Sequence, residues 1–462
     1  MKHYDAIIIG AGQAGVPLAK KLAEDGKKTA IIEKNFVGGT GINVGCSPTK
    51  AMIASSRAVY QAKNAGKLGA EIVTVNVNFQ KIKNRKDKIV QSFRSAAQKD
   101  IEATNGLTLI FGEARFSNNK ELSVKLNTGE EEELMADWIF INTGAKTTIP
   151  DIKGLENIDY LTSTTILDLE QIPEHLVIIG GNYIGLEFGQ MFRRFGSKVT
   201  ILEKSSRIMK REDEDIASEL NNILKGEGID ILTDTEIDEI SSHNNSQIVL
   251  HLKSGDKSKK MICSHLLIAT GRSPQTQSLG LELAGIQTDK KGNILVNEKL
   301  ETNISGVYAL GDVKGGPAFT HISYNDYTLV YRNLMKGTNY TTADRPIPYC
   351  MFTDPQLGRI GISEVEAKEK KLNYKVAKIS MSQVARGIET GETLGLMKAI
   401  VDADSKQILG ASILASEGGE IMSVLEMAME GSITYDRIKF CVFAHPTYSE
   451  SLNNLFMEIE DS

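Results

Sequence analysis

Redox chemistry in this chain has one obvious carrier. Cys46 lies in Gly38-Gly-Thr-Gly-Ile-Asn-Val-Gly-Cys-Ser-Pro-Thr-Lys50, directly after a nucleotide-binding type of unit, and is one of only four cysteines. A thiolate in such a place can be oxidised to a sulfenic acid or enter a mixed disulfide. A two-sulfur version of the stretch would carry a second cysteine nearby, and Gly41 occupies that place. Thiol–disulfide exchange needs both an attacking and a leaving sulfur, so a dithiol relay cannot run through Gly41. Cys263, Cys350 and Cys441 are scattered through apolar segments and are expected to be packing residues.

The elements that must position this thiol are legible on either side of it. Residues 6–9 form a buried-strand pattern, followed at once by Gly10-Ala-Gly12-Gln-Ala-Gly15, a helical pattern to about Asp25, a stop at Gly26, and a second strand over 29–32 ending in Glu33. Pro17 is tolerable because the first turn of a helix has backbone N–H groups without intrahelical partners. This is a dinucleotide unit: glycines let the backbone approach the pyrophosphate, the helix start faces its charge, and Glu33 accepts from the ribose hydroxyls. Lys34 adjoins that acid.

The unit recurs. Residues 176–179 are a strand, Gly180-Gly-Asn-Tyr183-Ile184-Gly185 the turn, 186–195 a helix stopped by Gly196, and 198–202 the next strand, closed by Glu203. From last motif glycine to acid the interval is 18 residues in both copies, Gly15 to Glu33 and Gly185 to Glu203. Two units imply two dinucleotides. Asn182 replaces the second glycine, and asparagine's tolerance of left-handed backbone suggests that the turn survives with a less close approach to the pyrophosphate. Glu203 would repel a 2′-phosphate and so favours NADH over NADPH, although Lys204 and Arg207 offer some offset.

Two parallel phrases, Thr143-Gly144-Ala145 after a strand at 137–142 and Thr270-Gly271-Arg272 after 266–269, read as exits from one nucleotide domain to the next. Residues 306–312 then form a strand ending in Gly311-Asp312, a carboxylate at the ligand side of an α/β sheet. The basic stretch 81–99 reads as a solvated helix face. From about Arg345 the texture becomes α+β, with an amphipathic helix at 418–430 and a tail containing His445-Pro-Thr-Tyr-Ser-Glu450. At 462 residues, with 41% hydrophobic and 24% charged residues, the chain is expected to hold about three soluble domains. A net charge of −6 without acidic or basic blocks gives no footing for nucleic acid or a membrane surface. There is no signal-peptide or bilayer-spanning pattern, few cysteines, and no ligand cluster with zinc-type spacing, so a cytoplasmic, metal-free protein is expected.

These motifs, in this order, resemble the FAD-dependent pyridine nucleotide–disulfide oxidoreductases, with 316–321 and 345–355 most similar to the mercuric-reductase-like branch. The resemblance covers essentially the whole chain. It implies an α/β fold with two Rossmann-like domains and a C-terminal α+β dimerisation domain: FAD domain at 1–148 and 270–343, nicotinamide domain at 149–269, dimerisation domain at 344–462. It implies FAD held by Gly10, Gly12, Gly15, Glu33, Lys34, Gly39, Thr40, Gly45, Thr143, Gly144, Gly311 and Asp312. NADH or NADPH would be held by Gly180, Tyr183, Ile184, Gly185 and Glu203, and Gly271 and Arg272 are also expected to bind a cofactor. Lys50 and Glu187 would pair beside the flavin. His445, oriented by Glu450, would reach the active site of the other subunit of a homodimer as an acid–base group. Cys441 could approach the same place, whereas His321 is expected to be structural.

The family's redox disulfide joins two cysteines; Cys46 matches the second, and Gly41 stands at the first. The chain also lacks an N-terminal Cys-x-x-Cys module and a cysteine pair at 451–462, which counts against ordinary mercuric reduction. The expected activity is therefore NAD(P)H oxidation through FAD to a small-molecule electron acceptor, either directly or through Cys46. The alternatives are a single-cysteine peroxide or oxidant reductase, a mixed disulfide with a small thiol, and a flavin-bound redox sensor without turnover.

Overall fold

The structure is a computed structural model that describes every residue except 244–246, 256, 344 and 460–462. The expected domain border at 344 falls on one of those positions. The chain forms two compact units, the first made of Met1–Ala51, Lys81–Thr148 and Gly271–Arg345, the second of Met52–Gln80, Ile149–Thr270 and Pro346–Ser462.

The first unit is built on a parallel sheet. The Lys2–Ile9 strand pairs in parallel with Thr29–Glu33 on one side and Glu131–Ile141 on the other. Val307–Ala309 extends the sheet beyond Glu131–Ile141, also in parallel. Successive side chains of a strand point to opposite faces. Ala6 and Ile8 pack with Leu18, Leu22, Phe140 and Val330, while Ile7 and Ile9 pack with Ile32, Ile139, Ile141 and Val307. Both faces are covered, which is why the strand reads as an unbroken apolar run. The Leu107–Asn118 strand begins in the parallel sheet beside Thr29–Glu33 and ends in an antiparallel meander with Glu121–Leu126 and the start of Glu131–Ile141.

Helices enter this unit at its sheet's C-terminal edge. Gly15–Glu24 follows the first strand, and Gly26, at φ +83°, ends the turn after it. Gly39–Asn43 and Cys46–Asn64 carry the thiol stretch. Thr320–Lys336 follows the Gly311-Asp312 turn. The basic segment forms the Phe79–Glu102 helix, and its face is not wholly solvated: Lys86 is 4% exposed and pairs with Asp87 at 2.5 Å. Lysines are seldom buried without such a partner.

In the second unit, His265–Ile268, His175–Ile179, Lys198–Leu202 and Asp230–Leu232 form a parallel sheet in that order. A separate antiparallel sheet runs Tyr349–Met351, Gln356–Gly361, Ile408–Ala415, Leu396–Asp402 and Tyr374–Ser380. The Gly418–Glu430 helix buries Ile421, Met422, Leu425 and Ala428 against the same core as Met397 and Ile413, matching its apolar stripe. Among the described residues, no helix is long and apolar enough to cross a membrane.

Candidate active site

Gly10 leaves the first strand at φ +106°, and a Cβ there would sit 2.4 Å from the carbonyl oxygen of Asn142. Only glycine fits, on conformation and on space alike. Glu33, at the end of the second strand, accepts from Ala11 N at 3.0 Å through Oε2 and from Asn35 N at 2.9 Å through Oε1. The acid is thus fixed against the glycine turn by the turn's own backbone. Gly39 backs onto the same turn, since a Cβ on it would meet Gly12 Cα at 2.7 Å. Gly38 N donates to Ala11 O at 2.7 Å, and Gln13 Nε2 donates to Gly38 O at 3.1 Å. Asn43 Nδ2 donates to the carbonyls of Val37 at 3.0 Å and Gly39 at 2.9 Å, holding the Gly38-Gly39 bend. Thr40 and Lys34 are exposed, Gly45 is half-buried, and Thr143 Oγ1 donates to Gln275 O at 2.8 Å.

The Gly311-Asp312 turn belongs to the same unit. Gly311 N donates at 2.8 Å to Asp326 Oδ2, and Asp326, fully buried, also receives Arg345 Nη1 at 2.6 Å and Lys314 Nζ at 3.3 Å. Burial pushes the Asp312 carboxyl up, while the Arg272 guanidinium, 3.7 Å away, pulls it back down. Arg272 Nε is a buried donor that makes no hydrogen bond within the described residues. Gly144 and Gly271 have open space where a Cβ would be. A glycine-only turn at a helix start, an anchored acid at the neighbouring strand end and an orphaned donor beside Asp312 together suit a dinucleotide that carries a flavin. Arg272, expected among the cofactor-binding residues, folds with Asp312 in the first unit.

The second dinucleotide turn repeats the first at Gly180, where a Cβ would lie 2.4 Å from Ala269 O, and at Gly185, where it would lie 2.1 Å from Gly180 O. Glu203 accepts from Gly181 N and Ser205 N, both at 2.8 Å. Asn182 departs from the expectation. Its backbone is extended (φ −110°, ψ 179°), not left-handed, and its side chain accepts from Tyr183 N at 2.9 Å as the cap of the Tyr183–Phe195 helix. Capping by Asn needs that extended backbone. Ile184 is half-buried in the same first helical turn. Arg207 donates to the carbonyls of Lys210 at 3.2 Å and Glu212 at 3.1 Å.

Cys46 begins its helix with an exposed thiol, and its Sγ lies 3.1 Å from Thr320 Oγ1. Gly41 faces the same hydroxyl: a Cβ on it would stand 3.5 Å from Thr320 Oγ1 and 3.4 Å from Gln13 Cγ. An open cavity of about 670 Å³ adjoins these groups, lined by Gln13, Thr320, His321, Tyr324, Asn325 and Thr328. His321, expected to be structural, is exposed and stacks on Phe319 with ring centres 5.4 Å apart. Lys50 lies one helical turn after Cys46.

The other cysteines belong to the second unit. Cys263 is buried, and burial pushes its thiol up to about 12. Cys350 is half-buried against Met351 O, while Cys441 is exposed, contrary to the packing role expected of it. Its flanking Phe440 and Val442 are exposed as well, at 68% and 96%. Local apolar sequence did not translate into burial there, because the segment follows the short Tyr435–Lys439 helix as a surface loop.

His445 Nδ1 lies 2.9 and 3.0 Å from the two carboxylate oxygens of Glu450, so that pair forms as its spacing suggested. Glu187 is 4% exposed in the second unit and accepts from Phe352 N at 2.8 Å, whereas Lys50 belongs to the first unit. Three contributors escaped the sequence reading: Thr320, Asp326 and Asn142. Asn142 left a trace, as the asparagine before Thr-Gly where the second unit has Ala269, and Thr320 lay within the 316–321 stretch that carries the resemblance. Among the described residues, no His, Cys, Asp and Glu group is placed to hold a metal.

Comparison with known proteins agrees with this geometry. The pyridine nucleotide-disulphide oxidoreductase model matches residues 4–326, and the dimerisation-domain model of the same family matches 347–456. The chain is 38% identical to the probable pyridine nucleotide-disulfide oxidoreductase RclA of Escherichia coli over 460 residues, covering 99% of both. It is 33% identical to a mercuric reductase of Streptomyces lividans, covering 97% of this chain and 94% of that one. A solved Cu(II) complex of the HOCl-induced flavoprotein disulfide reductase RclA from E. coli superposes with a TM-score of 0.92 at 36% identity, over 100% of each chain. These relatives are FAD- and NAD(P)H-dependent oxidoreductases, and the matched dimerisation domain supports a homodimer. The chain belongs to the pyridine nucleotide–disulfide oxidoreductase family of flavoenzymes.

Proposed function

We propose that this protein is an NAD(P)H-dependent flavoprotein oxidoreductase that delivers electrons to a small-molecule acceptor without a paired-cysteine disulfide. The supporting observation is that Gly41 and Cys46 face one hydroxyl, Thr320 Oγ1, and that no second cysteine belongs to that unit. FAD, when bound, supplies the two-electron chemistry that takes hydride from the nicotinamide. The protein's part is to bind, orient and protonate. Gly10, Gly12, Gly15, Gly39 and Glu33 would hold the adenosine and pyrophosphate end, with Asp312 and Arg272 further along. Gly180, Gly185 and Glu203 would hold the nicotinamide dinucleotide. Both Glu203 oxygens already accept from backbone N–H groups and Arg207 Nη2 donates to two carbonyls, which leaves Lys204 as the exposed cation beside an acid that would repel a 2′-phosphate; NADH is the favoured donor. Lys50 and Glu187 would each serve the reacting end. His445, its Nδ1 tied to Glu450, presents Nε2 as the acid–base atom and would serve the partner subunit. A cytoplasmic location goes with this reading.

A second reading follows from the exposure of Cys46 and its contact with Thr320. The Thr320 hydroxyl lies within hydrogen-bond reach of the sulfur that would attack a peroxide or hypohalous oxidant. The S–O bond forms as the O–O or O–Cl bond breaks; sulfur loses two electrons and the leaving oxygen or chloride takes them. The relative's description as HOCl-induced makes such an oxidant a reasonable class to try first.

Anaerobic NADH titration of the wild type and of Cys46→Ser, followed by flavin absorbance, tests both. Bleaching at one equivalent per flavin in both proteins means that electrons leave without the thiol. An excess seen only in the wild type means that Cys46 is an oxidised redox centre. NADH consumption that never exceeds one turnover with any acceptor tried, including quinones, oxygen and peroxides, would sink the enzymatic reading and leave a redox sensor.

A further inference from the structure

Asn142 follows the Glu131–Ile141 strand and is 8% exposed. Its Oδ1 accepts from Gly15 N at 2.9 Å, and its Nδ2 donates to Leu310 O at 3.0 Å. An N–H on one side and a carbonyl on the other admit only one orientation of the amide. Four glycines crowd this residue. A Cβ would lie 2.4 Å from Asn142 O at Gly10, 3.1 Å from its Oδ1 at both Gly12 and Gly15, and 3.0 Å from its Nδ2 at Gly311. One side chain therefore ties the dinucleotide turn at 10–15 to the Gly311-Asp312 turn, although 168 positions separate Asn142 from Leu310.

At the corresponding position the nicotinamide turn has no side-chain amide. A Cβ on Gly180 would meet Ala269 O at 2.4 Å, as one on Gly10 would meet Asn142 O, so Ala269 is the positional counterpart of Asn142. Alanine carries no amide. The helix there is capped locally instead, by Asn182 on Tyr183 N.

We propose that Asn142 is a positioning residue that fixes the two FAD-anchoring turns as one frame, and that Ala269 leaves the nicotinamide turn independent, so that one dinucleotide is retained while the other exchanges. A ligand spanning two turns must otherwise supply their mutual ordering from its own binding energy. A cosubstrate that comes and goes in each turnover gains nothing from such a frame. The inference rests on the family's FAD dependence.

The test titrates FAD into apoprotein, and NAD+ into FAD-saturated protein, for the wild type, Asn142→Ala and Asn142→Asp. Losing the bridge should weaken FAD binding by about tenfold or more in Asn142→Ala, since each of the two buried hydrogen bonds it removes is worth up to about that factor. NAD+ affinity should not move. Asn142→Asp keeps the acceptor for Gly15 and loses the donor to Leu310, so its FAD affinity must also fall below the wild type. Wild-type FAD affinity in Asn142→Ala overturns the proposal. So does equal weakening of both dinucleotides, or an Asn142→Ala protein that cannot be recovered folded, because either makes Asn142 a general residue of the fold. A wild-type apoprotein that takes up no FAD would refute the flavoprotein reading itself.

Discussion

The Thr320 hydroxyl stands 3.1 Å from the Cys46 sulfur, and the two residues are 274 positions apart in sequence. Each begins a helix, Thr320–Lys336 and Cys46–Asn64. The sulfur therefore sits against a polar partner rather than in an apolar pocket, unlike Cys263.

This contact can be probed through reactivity. Thr320→Val preserves shape and removes the donor. Alkylation of Cys46 by iodoacetamide should slow by about tenfold, the effect of one hydrogen bond to a charged group. Cys441, also exposed, supplies the internal reference. An unchanged Cys46 rate would mean that the hydroxyl does not stabilise the thiolate.

Gly41 is not required by the fold. It sits in the Gly39–Asn43 helix without positive φ, and a Cβ there makes ordinary contacts at 3.4–3.5 Å. Gly41→Ala should stabilise the protein by about 0.5 kcal/mol in denaturant unfolding, because glycine loses more backbone entropy in a helix. Gly41→Cys should be tolerated and should form a disulfide with Cys46. Its signature would be two more electrons taken up in anaerobic titration. Absence of that uptake would place Gly41 outside the redox pair.

Asp326 neutralises Lys314 and Arg345 while fully buried. Asp326→Asn keeps the shape and strands both cations. Chemical unfolding should show a loss of about 3–5 kcal/mol, the usual result of breaking a buried ion pair from one side. A loss below about 1 kcal/mol would be that of an exposed pair instead.

Acid sensitivity has a specific source in the second unit. Hydrogen bonds from Lys368 and then Lys398 hold the Glu364 carboxyl down to about 2, from an ordinary 4.5. A carboxyl depressed on folding stabilises above its unfolded value and loses that contribution as pH falls through the folded one. The stability gap between wild type and Glu364→Gln should therefore be full above pH 4.5 and close towards pH 2. Its size should be about 1 kcal/mol, since solvent screens a partly exposed carboxyl. A gap that persists at the acid end would assign the effect to packing.

Much of this architecture could be read from the chain because its constraints are local. Gly10 and Gly180 pair positive φ with a carbonyl at 2.4 Å, so no other residue type can stand there. Buried parallel strands, covered on both faces, leave continuous apolar runs. What escaped depends on partners distant in sequence: Asn142 with Gly15 and Leu310, Asp326 with Arg345, Thr320 with Cys46. Polar side chains of this kind carry no periodicity, and their meaning is set by what the fold brings to them. Asn182 was misread for a related reason. Its tolerance of left-handed backbone is a property of the residue, whereas its task here, capping a helix, belongs to the position.

Both oxygens of Glu203 are tied to the main chain, at Gly181 and Ser205, as those of Glu33 are at Ala11 and Asn35. On the proposed assignment of this turn to the nicotinamide donor, discrimination between NADH and NADPH is not carried by a swinging side chain that one substitution could retune. Replacing Glu203 would also release two backbone donors and loosen the bend that receives the ligand. Cofactor exchange in this scaffold, by evolution or by engineering, must rewrite the acid and its loop together.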